Sequence, residues 1–297
     1  MTATAVAPPA APGPVRAFLR LVAIEHSVFA LPFALLAALT AMRTDGSFVN
    51  LPRLLLITAA MVAARTVAMA ANRVIDRELD ARNPRTAGRE LVTGAMTVRS
   101  AQIGAGIALV VFLAVAAALG PLCLLLAPVA VAPLVLYPYA KRFTDYPQAL
   151  LGLAQAVAPV CAWIAVTGHW SWSAVVLGLG VGLWIGGFDL IYACQDTESD
   201  RAEGVRSFPA RWGNAAALRA SALVHLVTFA LFTWFGAREG FGALWYVGLT
   251  ATAGSFVYQH RIVSPTDLSR VNRSFFVSNG FVGLALGTTG ILDLALR

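Results

Sequence analysis

Long apolar runs separated by short polar connections dominate the chain. Runs of about 20 apolar residues are long enough to cross the hydrocarbon core of a bilayer as helices. The sequence contains nine, at roughly 17–41, 53–76, 101–119, 121–140, 147–167, 173–196, 213–235, 242–262 and 273–294. Gly120-Pro121 separates the third run from the fourth, which predicts a tight hairpin. The pattern therefore predicts an all-α, polytopic membrane protein.

Composition supports this class. Hydrophobic residues make up 58% of the chain and charged residues only 12%, whereas soluble domains carry about 25% charged residues. Residues 1–15 are rich in Ala and Pro and lack the basic region of a signal peptide. We expect them to form a disordered tail, followed by a single domain over 16–297. The three cysteines lie in apolar runs without metal-ligand spacing, so neither a disulfide framework nor a redox role is expected.

The net charge of +7 is distributed unequally between the connections. Seventeen basic residues fall on the connections of one side and four on the other, with Arg65 inside a run. The positive-inside rule then places the N-terminus and the basic connections in the cytoplasm and the C-terminus outside, in the cell (inner) membrane. Basic loops of this kind meet anionic lipid or phosphorylated substrates rather than nucleic acid.

Two acidic clusters stand at the ends of apolar runs. Together with Glu90 and Glu203 they hold nine of the fifteen acidic residues. Carboxylates beside hydrocarbon are functional by default, because their charge is costly there. The first cluster contains Asn72, Asp76 and Asp80, and the second contains Asp189, Tyr192, Asp196 and Asp200; Glu78 and Glu198 lie among them but off these spacings.

On a helix, each of these spacings forms one stripe. A stripe of oxygen ligands suits Mg²⁺, which is usually held by one or two carboxylates together with substrate phosphates. The alternative is a set of surface salt bridges with neighbouring arginines. Asp189 lies deeper in its apolar run than Asp196, which argues against a purely surface role.

A short internal repeat links the two clusters. Asp76-x3-Asp80 is followed by Arg85-Thr86, and Asp196-x3-Asp200 is followed by Arg206-Ser207. We therefore predict two four-helix pseudo-repeats, about 16–142 and 143–262, plus a last helix at 273–294. Repeats of this kind place a shared site at the interface between the halves, around a central cavity.

Basic residues near the clusters supply counter-charge for a diphosphate. Arg85, Arg89 and Arg206 follow the carboxylates closely and suit forked contacts with phosphate oxygens. A lipid-facing positive rim is the alternative. The segment from Tyr137 to Lys141-Arg142 closes the fourth run, and its lysine is the only one in the chain. A compact ammonium at this spot fits a phosphate site, with a snorkelling interfacial lysine as the alternative.

The first run contains one polar pair, Glu25 and His26. We predict that this pair contacts a polar acceptor molecule, and an interhelical hydrogen bond is the alternative.

At these motifs the chain resembles the UbiA superfamily of intramembrane aromatic prenyltransferases. The Asn72-x3-Asp76-x3-Asp80 and Asp189-x2-Tyr192-x3-Asp196-x3-Asp200 patterns match the family's two Asp-rich motifs. The Tyr137-x3-Lys141-Arg142 and Arg85-x3-Arg89 segments match its other conserved motifs. The resemblance covers the chain from about Arg16 onward. It implies nine helices around a central cavity, two Mg²⁺ ions and a polyprenyl diphosphate donor.

Some positions resemble one branch of the family. The segment from Ile24 to Phe33, together with Asn72-Arg73 and the stretch Asn83-Pro-Arg-Thr86, is similar to the branch that makes menaquinone through futalosine. That likeness implies a dihydroxynaphthoate acceptor, with 4-hydroxybenzoate as the other aromatic acid considered. Arg73 departs from the commonest pattern, because many members have Asp there.

The resulting hypothesis is Mg²⁺-dependent transfer of a polyprenyl chain to an aromatic acid, with release of diphosphate. Asn72, Asp76, Asp80, Asp196 and Asp200 would hold the metals. The residues expected to bind the diphosphate are Arg85, Arg89, Tyr137, Lys141, Arg142 and Arg206.

Asp189, Tyr192 and Lys141 are the candidate catalytic residues, and Glu25, His26 and Asp189 the candidate acceptor contacts. No protein partner is expected. The alternatives are another acceptor, such as homogentisate, a porphyrin or a sugar phosphate, or an ion-coupled transporter.

Overall fold

A computed structural model describes residues 13–22, 29–46 and 48–296, and these residues form helices and connections with no strand. The α-helices are α1 (Pro14–Leu21), α2 (Leu31–Thr44), α3 (Leu51–Ile75), α4 (Arg77–Arg82), α5 (Glu90–Thr93), α6 (Val98–Leu119), α7 (Pro121–Leu136), α8 (Pro147–Thr167), α9 (Trp172–Ala193), α10 (Thr197–Glu203), α11 (Phe208–Trp212), α12 (Asn214–Arg238), α13 (Ala243–Ile262), α14 (Val271–Arg273) and α15 (Asn279–Ala295). Two 3₁₀ segments, Tyr137–Arg142 and Cys194–Asp196, and a π-helical segment, Ser274–Ser278, complete the description.

The all-α membrane architecture is confirmed. Seven helical stretches of the described residues are long and apolar enough to cross a membrane: Leu51–Ile75, Val98–Leu119, Pro121–Arg142, Pro147–Thr167, Trp172–Glu203, Asn214–Arg238 and Val271–Ala295. The first predicted run is divided between α1 and α2, with residues 23–28 outside the described residues. The eighth coincides with α13, which is not among the seven. The count of nine spans therefore stays a prediction.

Local sequence signals fix several helix boundaries. Gly120, with a φ of 143°, turns the chain between α6 and α7 as the hairpin signal predicts. Asn50 caps α3 by accepting a hydrogen bond from the Arg53 backbone amide at 3.0 Å. At the other end of α3, helical hydrogen bonding continues through Asp76 into α4. The break at Asp76 therefore preserves the stripe of Asn72, Asp76 and Asp80.

Glycine allows α8 and α9 to pack backbone to backbone. A methyl group at Gly178 would lie 2.3 Å from the carbonyl oxygen of Ala156, and one at Gly182 would lie 2.5 Å from that of Gly152. Side chains larger than hydrogen are thus excluded at these crossings. Small residues drive close helix association in membranes, where hydrophobic burial gives little. The tight pair fixes the position of α9, which carries Asp189 and Tyr192.

An aromatic core holds α9 against the rest of the molecule. Trp184 of α9 is fully buried, and its indole donates a hydrogen bond to Asn279 Oδ1 at 3.1 Å. The Phe275 ring of the π-helical segment packs on Tyr192, with centroids 4.3 Å apart. Extra backbone turns such as this π segment are frequent at functional sites. The last transmembrane stretch therefore contributes to the wall around Tyr192.

Candidate active site

One polar cavity of about 240 Å³ is lined by Asp189, Glu203 and four further carboxylates from two distant parts of the sequence. These four come from the α3–α4 junction and from the α9–α10 junction, and they are Asp76, Asp80, Asp196 and Asp200. The structure thus places both predicted stripes at the same end of the bundle, on two walls of one cavity. Glu78 and Glu198 are exposed, as expected for residues that point away from the stripes.

Asp76 is the most enclosed of these carboxylates, with 1% of its side chain exposed. Lys141 Nζ lies 2.6 Å from its Oδ2, and Arg142 Nη1 lies 3.4 Å from its Oδ1. The Asn72 amide donates to the same Oδ2 at 3.1 Å. Burial raises the pKa of Asp76 above its usual range, and the ammonium of Lys141 opposes that shift. The 3₁₀ segment therefore delivers two cations to the first stripe.

Asp80 pairs within its own half of the chain. Arg89 Nη1 lies 2.5 Å from Asp80 Oδ1, and the Thr86 hydroxyl donates to the Asp80 backbone carbonyl at 2.9 Å. These contacts fold the connection after α4 back over the stripe. Arg89 in consequence lines the cavity.

Asp196 is held by the other half of the chain. Arg85 Nε lies 2.8 Å from its Oδ1 and Nη2 lies 2.6 Å from its Oδ2, and the Asn83 amide donates to Oδ1 at 2.8 Å. Although burial alone would lower it, this two-point contact raises the pKa of Arg85. Arg85 also donates to Tyr192 Oη at 3.3 Å. The connection after α4 thereby covers Asp196 of the second stripe.

Asp200 and Arg206 have different partners from those of Asp80 and Arg85, the corresponding residues of the first motif. Asp200 accepts a hydrogen bond from the Ser207 hydroxyl at 2.7 Å. Arg206 lines the cavity, but its guanidinium donates to the Phe143 carbonyl at 2.8 Å and its backbone amide to the Lys141 carbonyl at 2.9 Å. Arg206 thus ties the second connection to the 3₁₀ segment that carries Lys141.

An apolar cavity of about 380 Å³ adjoins the polar one, within the size range of ligand sites. The two cavities share a ring of residues: Asn72, Arg89, Tyr137, Leu151, Asp189 and Tyr192. Within the described residues, no hydrogen bond or ion pair engages the Asp189 carboxylate. Asp189 is therefore free to act at the boundary between a charged compartment and an apolar one.

The donor set fits a divalent cation that binds together with a phosphorylated ligand. No three His, Cys, Asp or Glu side chains of the described part of the chain form a self-sufficient metal site. Mg²⁺, however, is usually bound by one or two carboxylates plus substrate phosphates, and each stripe supplies two carboxylates on its own wall. Lys141, Arg85 and Arg89 now neutralise Asp76, Asp196 and Asp80, respectively, and the same cations suit a phosphate.

Sequence reasoning missed several cavity residues. Arg65 and Arg73 line the apolar cavity from α3, and the Arg73 Nε is buried without a hydrogen-bond partner among the described residues. Both are charged residues inside an apolar run, a signal of function that applies to cations as well as to carboxylates. Asn83 and Gln148 line the polar cavity. Glu25 and His26 lie outside the described residues.

Comparisons with known proteins identify the family. The UbiA prenyltransferase family matches residues 30–280. The 4-hydroxybenzoate octaprenyltransferase of Nitrosococcus oceani is 33% identical, covering 80% of this chain and 83% of that protein. That of Pseudomonas aeruginosa, strain UCBPP-PA14, is 32% identical, covering 84% and 83%.

Solved structures show the same fold. A UbiA homolog from Aeropyrum pernix K1 superposes with a TM-score of 0.82 at 34% identity, covering 91% of this chain and 98% of that one. A UbiA homolog from Archaeoglobus fulgidus, bound to DMAPP and Mg²⁺, shares the fold at 18% identity, with a TM-score of 0.70 over 94% and 99% of the two chains. The present chain therefore belongs to the UbiA prenyltransferase family and is a multi-pass membrane enzyme.

Proposed function

We propose that the enzyme transfers a polyprenyl chain from its diphosphate to an aromatic carboxylic acid of quinone biosynthesis. The observation that carries this proposal is the junction of the two cavities at Asp189 and Tyr192. A polyprenyl diphosphate has a charged head and an apolar tail, which match the charged and apolar compartments. The bond to be broken in such a donor lies between head and tail, at the level of this ring of residues.

The head would be held by carboxylates and cations, most of which now form ion pairs with one another. Asp76, Asp80, Asp196 and Asp200, with Asn72, would bind Mg²⁺, most simply two ions, one per stripe. Bound Mg²⁺ would supply charge neutralisation on the diphosphate oxygens. Arg85, Arg89, Lys141 and Arg142 would then turn from the carboxylates to the phosphates. The Archaeoglobus fulgidus homolog was solved with both DMAPP and Mg²⁺ bound, which supports the binding of Mg²⁺ together with a prenyl diphosphate.

The acceptor acid would be oriented by a cation within the apolar cavity. Arg65 lines that cavity on α3, as does Asp189 on α9. A guanidinium binds a carboxylate in a forked, charge-assisted contact that is stronger in a desolvated site. An acid bound in this way lies between the α3 and α9 walls, with its ring toward Asp189.

The chemical step follows from this placement. The bond between prenyl C1 and the diphosphate oxygen breaks, and the electron pair stays on the diphosphate, where the basic residues stabilise the added charge. The electron-rich ring carbon forms the new bond to C1. The ring proton passes to Asp189, which acts as the base. Tyr192, bonded to Arg85, keeps Asp189 and the head site adjacent.

The finer assignments rest on sequence. The relatives act on 4-hydroxybenzoate by name, whereas the branch motifs favour a dihydroxynaphthoate. The distribution of arginines favours a cytoplasmic site in the cell membrane.

An acceptor screen tests the proposal. Purified enzyme receives one polyprenyl diphosphate, Mg²⁺ and, in turn, 4-hydroxybenzoate, dihydroxynaphthoates that differ in the position of the carboxylate, homogentisate and each ring without its carboxylate. Prenylated products are identified by mass spectrometry. We expect product only with an acid, and a KM for that acid raised about tenfold or more by Arg65→Met, which removes a charged hydrogen bond. Equal turnover of acids and their decarboxylated analogues would contradict the proposal, as would full activity of Asp76→Ala or Asp196→Ala.

A further inference from the structure

A buried amide at the start of α8 has an oxygen without a partner. Gln148 stands in the first turn of this helix and lines the polar cavity. The residue is 5% exposed, and its Oε1 accepts no hydrogen bond within the parts of the chain that the structure describes. Buried polar atoms nearly always have a partner. An unpartnered acceptor atom beside a ligand cavity indicates that a bound ligand donates to it.

Gln148 lies next to the proposed base. A methyl group at Gly186 of α9 would lie 3.0 Å from the Gln148 carbonyl oxygen, so the first turn of α8 packs directly on α9. Asp189 follows Gly186 by less than one helical turn. Leu151, which shares a face of α8 with Gln148, lines both cavities, as Asp189 does. The amide therefore stands on the polar side of the boundary at which the ring proton would be removed.

The chemistry of the two substrates decides which of them meets this oxygen. The isoprenoid tail has no hydrogen-bond donor, and the ionised diphosphate offers only acceptor oxygens. The aromatic acids under consideration carry a ring hydroxyl, and a hydroxyl has one O–H donor. The terminal torsion of a glutamine side chain is broad and roughly two-fold, so the amide turns its oxygen toward the cavity at little cost. A ring hydroxyl is thus the donor that fits.

We propose that Gln148 binds the acceptor substrate by accepting a hydrogen bond from its ring hydroxyl. The inference rests on the proposed function, because it takes an aromatic acid as the second substrate. Together with the carboxylate contact proposed for Arg65, this bond holds the acceptor at two points and orients its ring. It also polarises the O–H bond, so the oxygen releases more electron density to the ring carbons ortho and para to it. Gln148 thereby selects hydroxylated acceptors and the ring carbon that faces the prenyl C1.

Acceptor analogues test this assignment. The acid that gives most product in the acceptor screen is compared with analogues in which each ring hydroxyl in turn is replaced by an amino or a methoxy group. Both groups keep the ring electron-rich, but only the amino group donates a hydrogen bond. At one hydroxyl position we expect Gln148→Met to lower the ratio of kcat/KM for hydroxyl over methoxy about tenfold relative to wild type, as for the loss of one bond to a buried acceptor. The ratio for hydroxyl over amino should stay the same.

Two further variants separate this role from a structural one. Gln148→Glu keeps an acceptor oxygen and should keep the hydroxyl preference, although its added charge opposes the diphosphate and raises the KM for the donor. Gln259→Met is the matched control, because Gln259 is fully buried, has an amide without partners among the described residues and lines neither cavity. It should leave the preference unchanged.

Thermal unfolding without substrate gives an independent readout. The midpoint of Gln148→Met should equal or exceed that of wild type, because methionine removes an unpaired buried polar atom. A lower midpoint with an unchanged hydroxyl preference would mean that Gln148 serves the fold alone.

The remaining failures are distinguishable. Wild-type enzyme that prenylates no aromatic acid refutes the proposed function. An active enzyme whose hydroxyl preference is the same in Gln148→Met and wild type refutes the role of Gln148. If that variant also needs more Mg²⁺ for half-maximal activity, the oxygen serves a metal-bound water instead of the acceptor.

Discussion

Arg85 and Asp196 meet across the polar cavity in a two-point contact, with distances of 2.8 Å from Nε to Oδ1 and 2.6 Å from Nη2 to Oδ2. Arg85 belongs to the connection after α4 and Asp196 to the 3₁₀ segment after α9, so the pair joins two distant parts of the chain. A planar guanidinium makes this forked contact and an ammonium does not. The same fork is the group expected to bind the donor's diphosphate.

Replacement of Arg85 by Lys is therefore not conservative. We expect Arg85→Lys to raise the KM for the donor about 10- to 100-fold, the loss of one charged hydrogen bond worth about 1.5–3 kcal/mol. The KM for the acceptor should stay unchanged in steady-state assays. Arg82→Lys is the control, because Arg82 is 58% exposed and pairs with Glu203 at 3.0 Å. Equal effects of the two substitutions would exclude a specific role for the fork.

Asp189→Asn tests the proposed base at the boundary between the two cavities. The amide keeps the shape of the side chain but does not accept the ring proton, so kcat should fall by about 10²–10⁴. Donor binding, measured by protection against thermal unfolding, should persist. Glu198→Gln removes an exposed carboxylate nearby and should be silent. A loss of donor binding that matches the loss of kcat would place Asp189 in the head site instead.

Lys141→Met should lower the free energy of unfolding of the enzyme even in the absence of substrate. The change leaves the Asp76 carboxylate, 1% exposed, without the ammonium 2.6 Å away, and breaking a buried pair costs about 3–5 kcal/mol. Adding Asp76→Asn should restore most of the thermal midpoint but not the activity. A double-mutant cycle on the free energy of unfolding measures the coupling. Additive effects would show that the pair contributes nothing to the fold.

The α8–α9 contact predicts a stability difference between two glycines. Gly182→Ala places a methyl group 2.5 Å from the Gly152 carbonyl oxygen, and such overpacking costs about 1–3 kcal/mol. Gly106→Ala in α6 meets nothing within 4 Å and should be neutral or stabilise by up to about 1 kcal/mol through helix propensity. Thermal unfolding in detergent gives both values. A stable Gly182→Ala enzyme would mean that the helices separate without penalty.

The sequence predicted the parts of the site that depend on local spacing. The stripe from Asn72 to Asp80 needs only helical geometry, and that geometry survives the break at Asp76. The charge distribution placed both acidic clusters at one end of the bundle, where the structure has them. Seven of the nine apolar runs correspond to described helical stretches long enough to cross a membrane, and Gly120-Pro121 predicted the hairpin between α6 and α7.

Contacts between distant segments had no local signal. The path of the connection after α4 determines that Arg85 pairs with Asp196. The packing of the 3₁₀ segment Tyr137–Arg142 determines that Arg206 forms a hydrogen bond with the Phe143 carbonyl. The glycines of α9 are spaced for helix contact, but their partner on α8 is set by the fold. Arg65, by contrast, had a local signal, because it is a cation inside an apolar run.

The enclosure of α9 has a consequence for biogenesis. Of the residues in its most apolar stretch, 67% are buried inside the protein, compared with 17% for α6. One face packs on α8, which is synthesised earlier, and another on α12, where Phe232 meets Gly180 and the Ser221 hydroxyl donates to the Gly187 carbonyl at 2.6 Å. A nascent chain that ends before α12 leaves that face toward lipid. Membrane insertion of α9 and completion of its fold are therefore separate events during translation, and the second waits for α12 to leave the ribosome.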